Sequence, residues 1–345
     1  MAWIQKRWYV RSLSLPAWCA LFPLIFPSLV FAGLSAARRL AYRRGWLRAR
    51  ALPVPVVVVG NLTVGGTGKT PLVLALIERL RAAGWRPGVI SRGYGGRAVA
   101  PIPALPDARP DEVGDEPILL ATRGNCPVWV GQDRIATAWA LLAAHPEIDL
   151  LLSDDGLQHY RLRRDIELVV FDGRGIGNGW LLPLGPLREP LQRIRRVTAL
   201  VTHGAPDPRV LAAASGIPCH TMTLEPGPFY RLGAPAQRAA VPELLRDCAG
   251  RPLHAIAGIG HPDRFFRTLS ALGLVFTAHP FPDHHAFTEA DLDFAPDAVL
   301  LMTEKDGVKC TRLNLGEAWV LPVSAHLDPG LTETLLETLH GRKTA

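Results

Sequence analysis

A mostly parallel β-sheet with helices on both faces, a smaller second α/β unit and an apolar N-terminal anchor helix form the architecture that this sequence predicts. Three observations predict it. A valine-rich run at residues 54–59 leads into the glycine-rich GNLTVGGTGKT at 60–70 and then into a helical pattern. Short apolar runs and helix-period segments alternate from there to about residue 245 and resume near Arg251. Residues 13–37 form a 25-residue stretch without a charged side chain.

Each element follows from its residues. Four valines in succession, Val56 to Val59, suit a strand buried on both sides, as in parallel sheets. Leu72, Leu76 and Leu80 recur at helical spacing, so 71–83 reads as a helix. Further strands are expected at 88–91, 128–130, 166–171, 199–202 and 218–223, with helices at 116–122, 134–144 and 209–215. Such alternation implies parallel strands with helical crossovers. Residues 91–109 are too rich in Gly, Pro and Arg for an element and read as an irregular active-site loop. A strand at 254–257 and a helix at 263–272, with Pro262 at its first position, open the second unit. The expected division is an anchor and basic segment at 1–50, a core domain at 51–245 and a smaller domain at 246–345.

Charge is unevenly placed. Residues 1–50 hold nine Lys and Arg and no Asp or Glu; the remaining 295 hold 29 basic and 31 acidic side chains. A nucleic-acid binder carries its positive charge on the folded module, so no nucleic-acid partner is expected. Five scattered cysteines, an odd number without a C-x-x-C pair, argue against a disulfide framework and a zinc site. The apolar run exceeds the ~20 residues that cross a bilayer, although Pro16, Pro23 and Pro27 interrupt it. It reads as a kinked membrane anchor, inserted or interfacial, with Arg38 to Arg50 against anionic head groups. A buried core helix is the competing reading.

The chemistry begins at the glycine-rich loop. Strand, glycine turn and helix form the setting of G-x-x-x-x-G-K-[ST], whose backbone N–H groups cradle phosphates. Thr63 stands at the first position where the pattern has glycine. Thr63, Val64, Gly65, Gly66, Thr67, Gly68, Lys69 and Thr70 are the expected nucleotide-binding residues, with Lys69 on the β/γ-phosphates and the Thr70 hydroxyl on Mg²⁺. IDLLLSDDGLQH at 148–159 ends an apolar strand in Asp154-Asp155, where a carboxylate can hold that metal. A base for an attacking hydroxyl has two sources: Asp115-Glu116 in VGDEP at 113–117, and FPDHH at 281–285 with Asp283, His284 and His285. Two functions fit these residues. One is a kinase for a membrane-embedded acceptor. The other is a membrane-associated ATPase switch with a K-G-G-x-G-K-T loop, for which Val64 stands where the lysine belongs.

Eight motifs together resemble the tetraacyldisaccharide 4′-kinase family, the lipid A 4′-kinases of Gram-negative bacteria. They are GNLTVGGTGKT, SRGYGG at 91–96, VGDEP, DDGLQH at 154–159, GNGWLLPLGPLREP at 177–190, AGIGHPDRF at 257–265, FPDHHAF at 281–287 and MTEKDGVK at 302–309. The resemblance implies transfer of the ATP γ-phosphate to the 4′-hydroxyl of a tetraacylated glucosamine disaccharide 1-phosphate, giving lipid IVA at the cytoplasmic face of the inner membrane. It implies Asp115 as the catalytic acidic residue paired with the histidine of Asp283-His284. It also implies Asp154 and Asp155 as metal carboxylates, and Arg188 and Glu189 in the active-site lining. On the chemistry of phosphoryl transfer, Arg188 is expected to compensate phosphate charge and Glu189 to join the metal set. The same substitution at Thr63 is a family feature.

Overall fold

The computed structural model describes residues 7–10, 21–295 and 297–343. The expected anchor begins at 13, so its first part, 13–20 with Pro16 and Cys19, lies outside them. In chain order the strands are β1 (Val56–Gly60), β2 (Pro87–Ser91), β3 (Ile102–Pro103), β4 (Val128–Val130), β5 (Leu150–Asp154), β6 (Ile166–Asp172), β7 (Ala199–His203) and β8 (Cys219–Pro226). They continue as β9 (Phe229–Arg231), β10 (Ala234–Ala239), β11 (Leu253–Ala257), β12 (Thr277–Pro280), β13 (Val299–Thr303), β14 (Ala318–Leu321) and β15 (Val323–Leu327).

Among the described residues these strands form two sheets. The first runs β15-β8-β7-β6-β1-β5-β2-β4-β3 and the second β10-β9-β14-β13-β11-β12. The first is parallel except where β3 and β15 join its edges, and the second is parallel from β14 to β12. Sheet membership runs differently from a cut at 245. β9 and β10 precede that residue yet lie in the second sheet, while β15 and the helix Pro329–Lys343 follow it and pack on the first.

Valine alternation splits the first core. Val57 and Val59 meet Leu72, Leu76 and Leu80 of the helix Lys69–Ala82, together with Leu331 and Leu335 from the C-terminal helix. Val56 and Val58 face the opposite layer of Ile135, Leu141 and Val210. Period 2 in the strand thus feeds both faces of one sheet. The strand starts at Val56 rather than at 54, because Pro55 has no N–H for a ladder; the Val56 N–H donates instead to Asp165 Oδ2 at 2.8 Å.

The helix Ile25–Arg43 follows a 3₁₀ turn, Phe22–Leu24, and buries only Ser28. Pro27 is tolerated because it falls in the first turn, where N–H groups have no helical partner. Phe22, Phe26, Leu29 and Leu34 are 58–74% exposed, which overturns the buried-core reading. Over 22 residues, Phe22–Arg43, the segment is long and apolar enough to cross a membrane, with mean hydropathy 1.3. It touches the body through the Ser28 hydroxyl, which donates to Leu181 O at 2.9 Å, and through Tyr42, stacked on Tyr160 at 5.9 Å.

An ion pair ties the two sheets behind the site. Arg123, at the end of the helix Asp115–Gly124, donates to both oxygens of Glu304 (3.0 and 2.8 Å) and to Val323 O. Burial pushes the Glu304 carboxyl up and Arg123 opposes it. Arg123→Ala leaves that carboxylate buried and unpaired, so we expect a loss of about 3 kcal/mol in urea unfolding, and a smaller loss when Glu304→Gln is added. Equal losses in the two variants would count against the pair.

Candidate active site

Strand order places the pieces. β1 lies between β5 and β6, and Val59 is in register with Asp154. The loop leaving β1 and the aspartates ending β5 therefore emerge side by side at the carboxyl end of the sheet, where chain connections diverge and ligands bind. Close packing at Gly60 helps, since a Cβ there would lie 2.7 Å from Leu157 Cβ.

Thr63 has a local reason. It makes an antiparallel bridge to Leu187, and the Val64 N–H donates to Pro186 O at 2.9 Å. An extended bridge suits a β-branched residue, so the loop turns later, at Gly65 (φ 98°) and Gly68 (φ 88°). Gly68 caps the helix Lys69–Ala82 with no side-chain hydrogen bond. Among the described residues the N–H groups of Gly65, Gly66, Thr67 and Gly68 have no protein acceptor. Free amides at a helix N-terminus form an anion cradle.

Lys69 reaches out of that helix to Asn61 Oδ1 (3.4 Å) and Asp155 Oδ1 (3.5 Å). Arg188 donates to both oxygens of Asp155, at 3.1 and 3.0 Å. Burial works against ionisation of Asp155, but Lys69 and Arg188 outweigh it and lower the carboxyl to about 2. Asp154 is the opposite case. It is 1% exposed, takes a 3.5 Å hydrogen bond from Ser91, and leaves Oδ1 without a partner. Burial, with Glu116 next, pushes it up to about 7. A buried carboxylate with one oxygen unpartnered, at the strand end in register with the strand that leads into the loop, fits a divalent cation.

Glu189 goes elsewhere. Tyr160 donates to it at 2.5 Å and Arg193 lies 3.5 Å away. Successive residues of an extended chain point to opposite sides, so Arg188 facing Asp155 sends Glu189 away from the aspartates. Among the described residues no group of three or more His, Cys, Asp or Glu could hold a metal.

Asp115 opens its helix after Gly114, 4% exposed. Oδ1 accepts the Glu116 N–H at 2.8 Å, and Oδ2 lies 3.2 Å from His284 Nδ1. His284 sits at φ 58°, its N–H donating to Gly258 O at 3.2 Å and its ring 4.9 Å from Tyr94. His285 turns to Asp291 at 3.3 Å, so the imidazole that meets Asp115 is His284. Asp115 is lowered: burial opposes ionisation, but the His284 hydrogen bond and Lys305 prevail. The same bond raises His284.

The pair stands at the same cleft as the loop. Glu116, beside Asp115, lies close enough to Asp154 to disfavour its charge. A Cβ on Gly260, from the second sheet, would be 3.1 Å from Asp283 and 3.3 Å from Gly66 N. Ser91, Arg134 and Gln158 were not singled out as site residues, although Ser91 lies within SRGYGG. Arg134 donates to Asp154 O at 2.7 Å, and Gln158 to Asn61 O at 3.2 Å. Gln158 lay within DDGLQH and was legible there; Arg134 looked like an ordinary helix start.

A phosphate-type loop, strand-end aspartates and a carboxylate–imidazole pair in one cleft define a nucleotide-dependent phosphotransferase of the phosphate-loop class. The family model described as tetraacyldisaccharide-1-P 4′-kinase matches residues 18–340, and the chain belongs to that family. A tetraacyldisaccharide 4′-kinase of Dechloromonas aromatica is 53% identical, with 99% of each chain covered. One from Aromatoleum aromaticum is 50% identical over 98% of each. Among solved structures, LpxK from Aquifex aeolicus in complex with ATP superposes with a TM-score of 0.75 at 27% identity, covering 93% of this chain and 99% of that one.

Proposed function

We propose that this enzyme transfers the γ-phosphate of ATP to the 4′-hydroxyl of a tetraacylated glucosamine disaccharide 1-phosphate, producing lipid IVA for lipid A synthesis. The observation carrying this reading is the pairing of Asp115 with His284, 169 residues apart, beside a phosphate-type loop. A switch ATPase has no use for a buried acid–base pair beside its loop, and Val64 denies this one its signature lysine.

Phosphoryl transfer demands little covalent work from the protein, so positioning and charge carry it. The loop amides and Lys69 hold the triphosphate. Asp115 orients the acceptor hydroxyl and takes its proton; its lowered pKa makes it a weak base, which suits a loose transition state in which that proton leaves late. His284 keeps the carboxylate ionised and aimed. Arg188, released from Asp155, offsets charge on the transferring group. Thr70 and Asp154 are the residues that would hold Mg²⁺, which neutralises phosphate charge when bound; Asp155 is already engaged by Lys69 and Arg188, and Glu189 is dropped from this set.

The two sheets are proposed as the two domains, closing over nucleotide and sugar. Purified enzyme given labelled ATP and the disaccharide 1-phosphate should move label to lipid; hydrolysis indifferent to lipid would reverse the reading in favour of the switch.

The acceptor's four acyl chains keep it in a bilayer, and the exposed apolar helix supplies the matching address at the cytoplasmic face of the inner membrane. Removing residues 1–37 is expected to cut activity on vesicle-borne acceptor about a hundredfold through lost local concentration, leaving ATP affinity unchanged. Equal rates on vesicles for both forms would dismiss the anchor's role.

A further inference from the structure

The glycine-rich loop is held from outside by a residue that no loop pattern contains. Arg174, just past β6, donates from Nη2 to Gly66 O at 2.8 Å. Its Nε donates to both oxygens of Asp172, at 3.0 and 2.9 Å, and Nη2 lies 2.8 Å from Asp172 Oδ2. Asp172 is 3% exposed and ends β6, next to β1, so the arginine is anchored on a rigid strand while it reaches a carbonyl of the loop. The Tyr9 ring lies 5.1 Å from the guanidinium on another side. From the helix Pro262–Ala271, Arg264 shares the same carboxylate at 3.5 Å.

The consequence lies in peptide geometry. In a planar trans peptide the C=O and the following N–H point in opposite directions. With Gly66 O drawn outward onto Arg174, the Thr67 N–H is turned the other way, into the cradle. Gly66, on one side of this peptide, tolerates either orientation of its carbonyl, so an external clamp helps to select the anion-binding one. Arg174 is suited to the task because its fork serves carbonyl and carboxylate together.

We propose that Arg174, aimed by Asp172, is a positioning residue that pre-organises the phosphate loop, so that its loss weakens grip on the nucleotide phosphates without slowing transfer once ATP is bound. The proposal rests on the reading of residues 63–70 as the nucleotide site and goes beyond it by naming what holds that site in shape.

The test is calorimetric titration of ATP and of ADP into the full chain in detergent, without acceptor. Arg174→Ala is expected to weaken both nucleotides about ten- to hundredfold, the worth of a charge-assisted hydrogen bond, with kcat at saturating ATP within about threefold of the parent. Asp172→Asn keeps the shape but loosens the fork and should fall between; Arg174→Lys should recover part of the loss. Parent-like affinity in Arg174→Ala, or a loss confined to kcat, overturns the proposal. Should Arg174→Ala fail to fold by circular dichroism, parent-like affinity in both Asp172→Asn and Arg174→Lys overturns it equally. Lys69→Ala serves as the control: if it too retains full affinity, the nucleotide site itself has been misread.

Discussion

Asp115→Asn is expected to slow the first turnover of phosphoryl transfer by about 10²–10⁴-fold, the range for loss of a positioned proton acceptor, with ATP affinity retained. Asparagine keeps the volume and can still accept the Glu116 N–H, so the helix start survives and only charge is lost. His284→Gln should reproduce part of the defect, and the double variant should be little worse than Asp115→Asn alone, because the histidine acts through the carboxylate. Single-turnover assays decide: near-normal transfer in Asp115→Asn would remove the pair from the chemistry. The pair also has a pH signature. The hydrogen bond that His284 donates to Asp115 raises His284 above its usual 6.5, so its stabilisation is fully present below 6.5 and fades as pH rises through the folded value. Asp115 is lowered from 3.8, so its share is present above 3.8 and fades as pH falls through its folded value. The stability difference between parent and His284→Gln is therefore largest between those limits. A difference that instead grew above neutrality would contradict the ion pair.

Lys69→Ala should cost about 10²–10³-fold in kcat, comparable with deleting a preorganised donor at a developing oxyanion, and should weaken ATP binding as well. The lysine does two jobs in the free enzyme. It supplies charge to the cradle, and with Arg188 it holds Asp155 ionised at about 2. Without it Asp155 keeps Arg188 but loses one of its two cationic partners, so its pKa rises. Lys69→Arg should not rescue: the Lys69 contacts with Asn61 and Asp155, at 3.4 and 3.5 Å, are set for a single ammonium, and a planar fork does not fit that spacing. Full activity in the arginine variant would show that charge alone suffices.

Much of the first sheet was legible because its signals are short-range. Four valines in a row, glycines within the next ten residues and leucines four apart are decided inside one strand–turn–helix segment. The helix expected at 134–144 is the observed Arg134–Ala144, where Asp133 caps it through its side chain. The second sheet was harder. β9 and β10 precede the expected boundary, and nothing in Phe229–Arg231 announces a partner about ninety residues later in β14.

The sequence by itself determined the phosphate cradle, the aspartates at a strand end, the long apolar N-terminal run and the kinase family's motifs, because each is written in contiguous residues whose backbone preferences are local. Tertiary structure decided which imidazole meets Asp115, which carboxylates stand near Lys69, that Glu189 turns to Tyr160, and that Arg174 grips the loop from outside. Those outcomes depend on strand order and on which side of an extended chain each residue faces, and such long-range pairings leave no periodic trace along the chain.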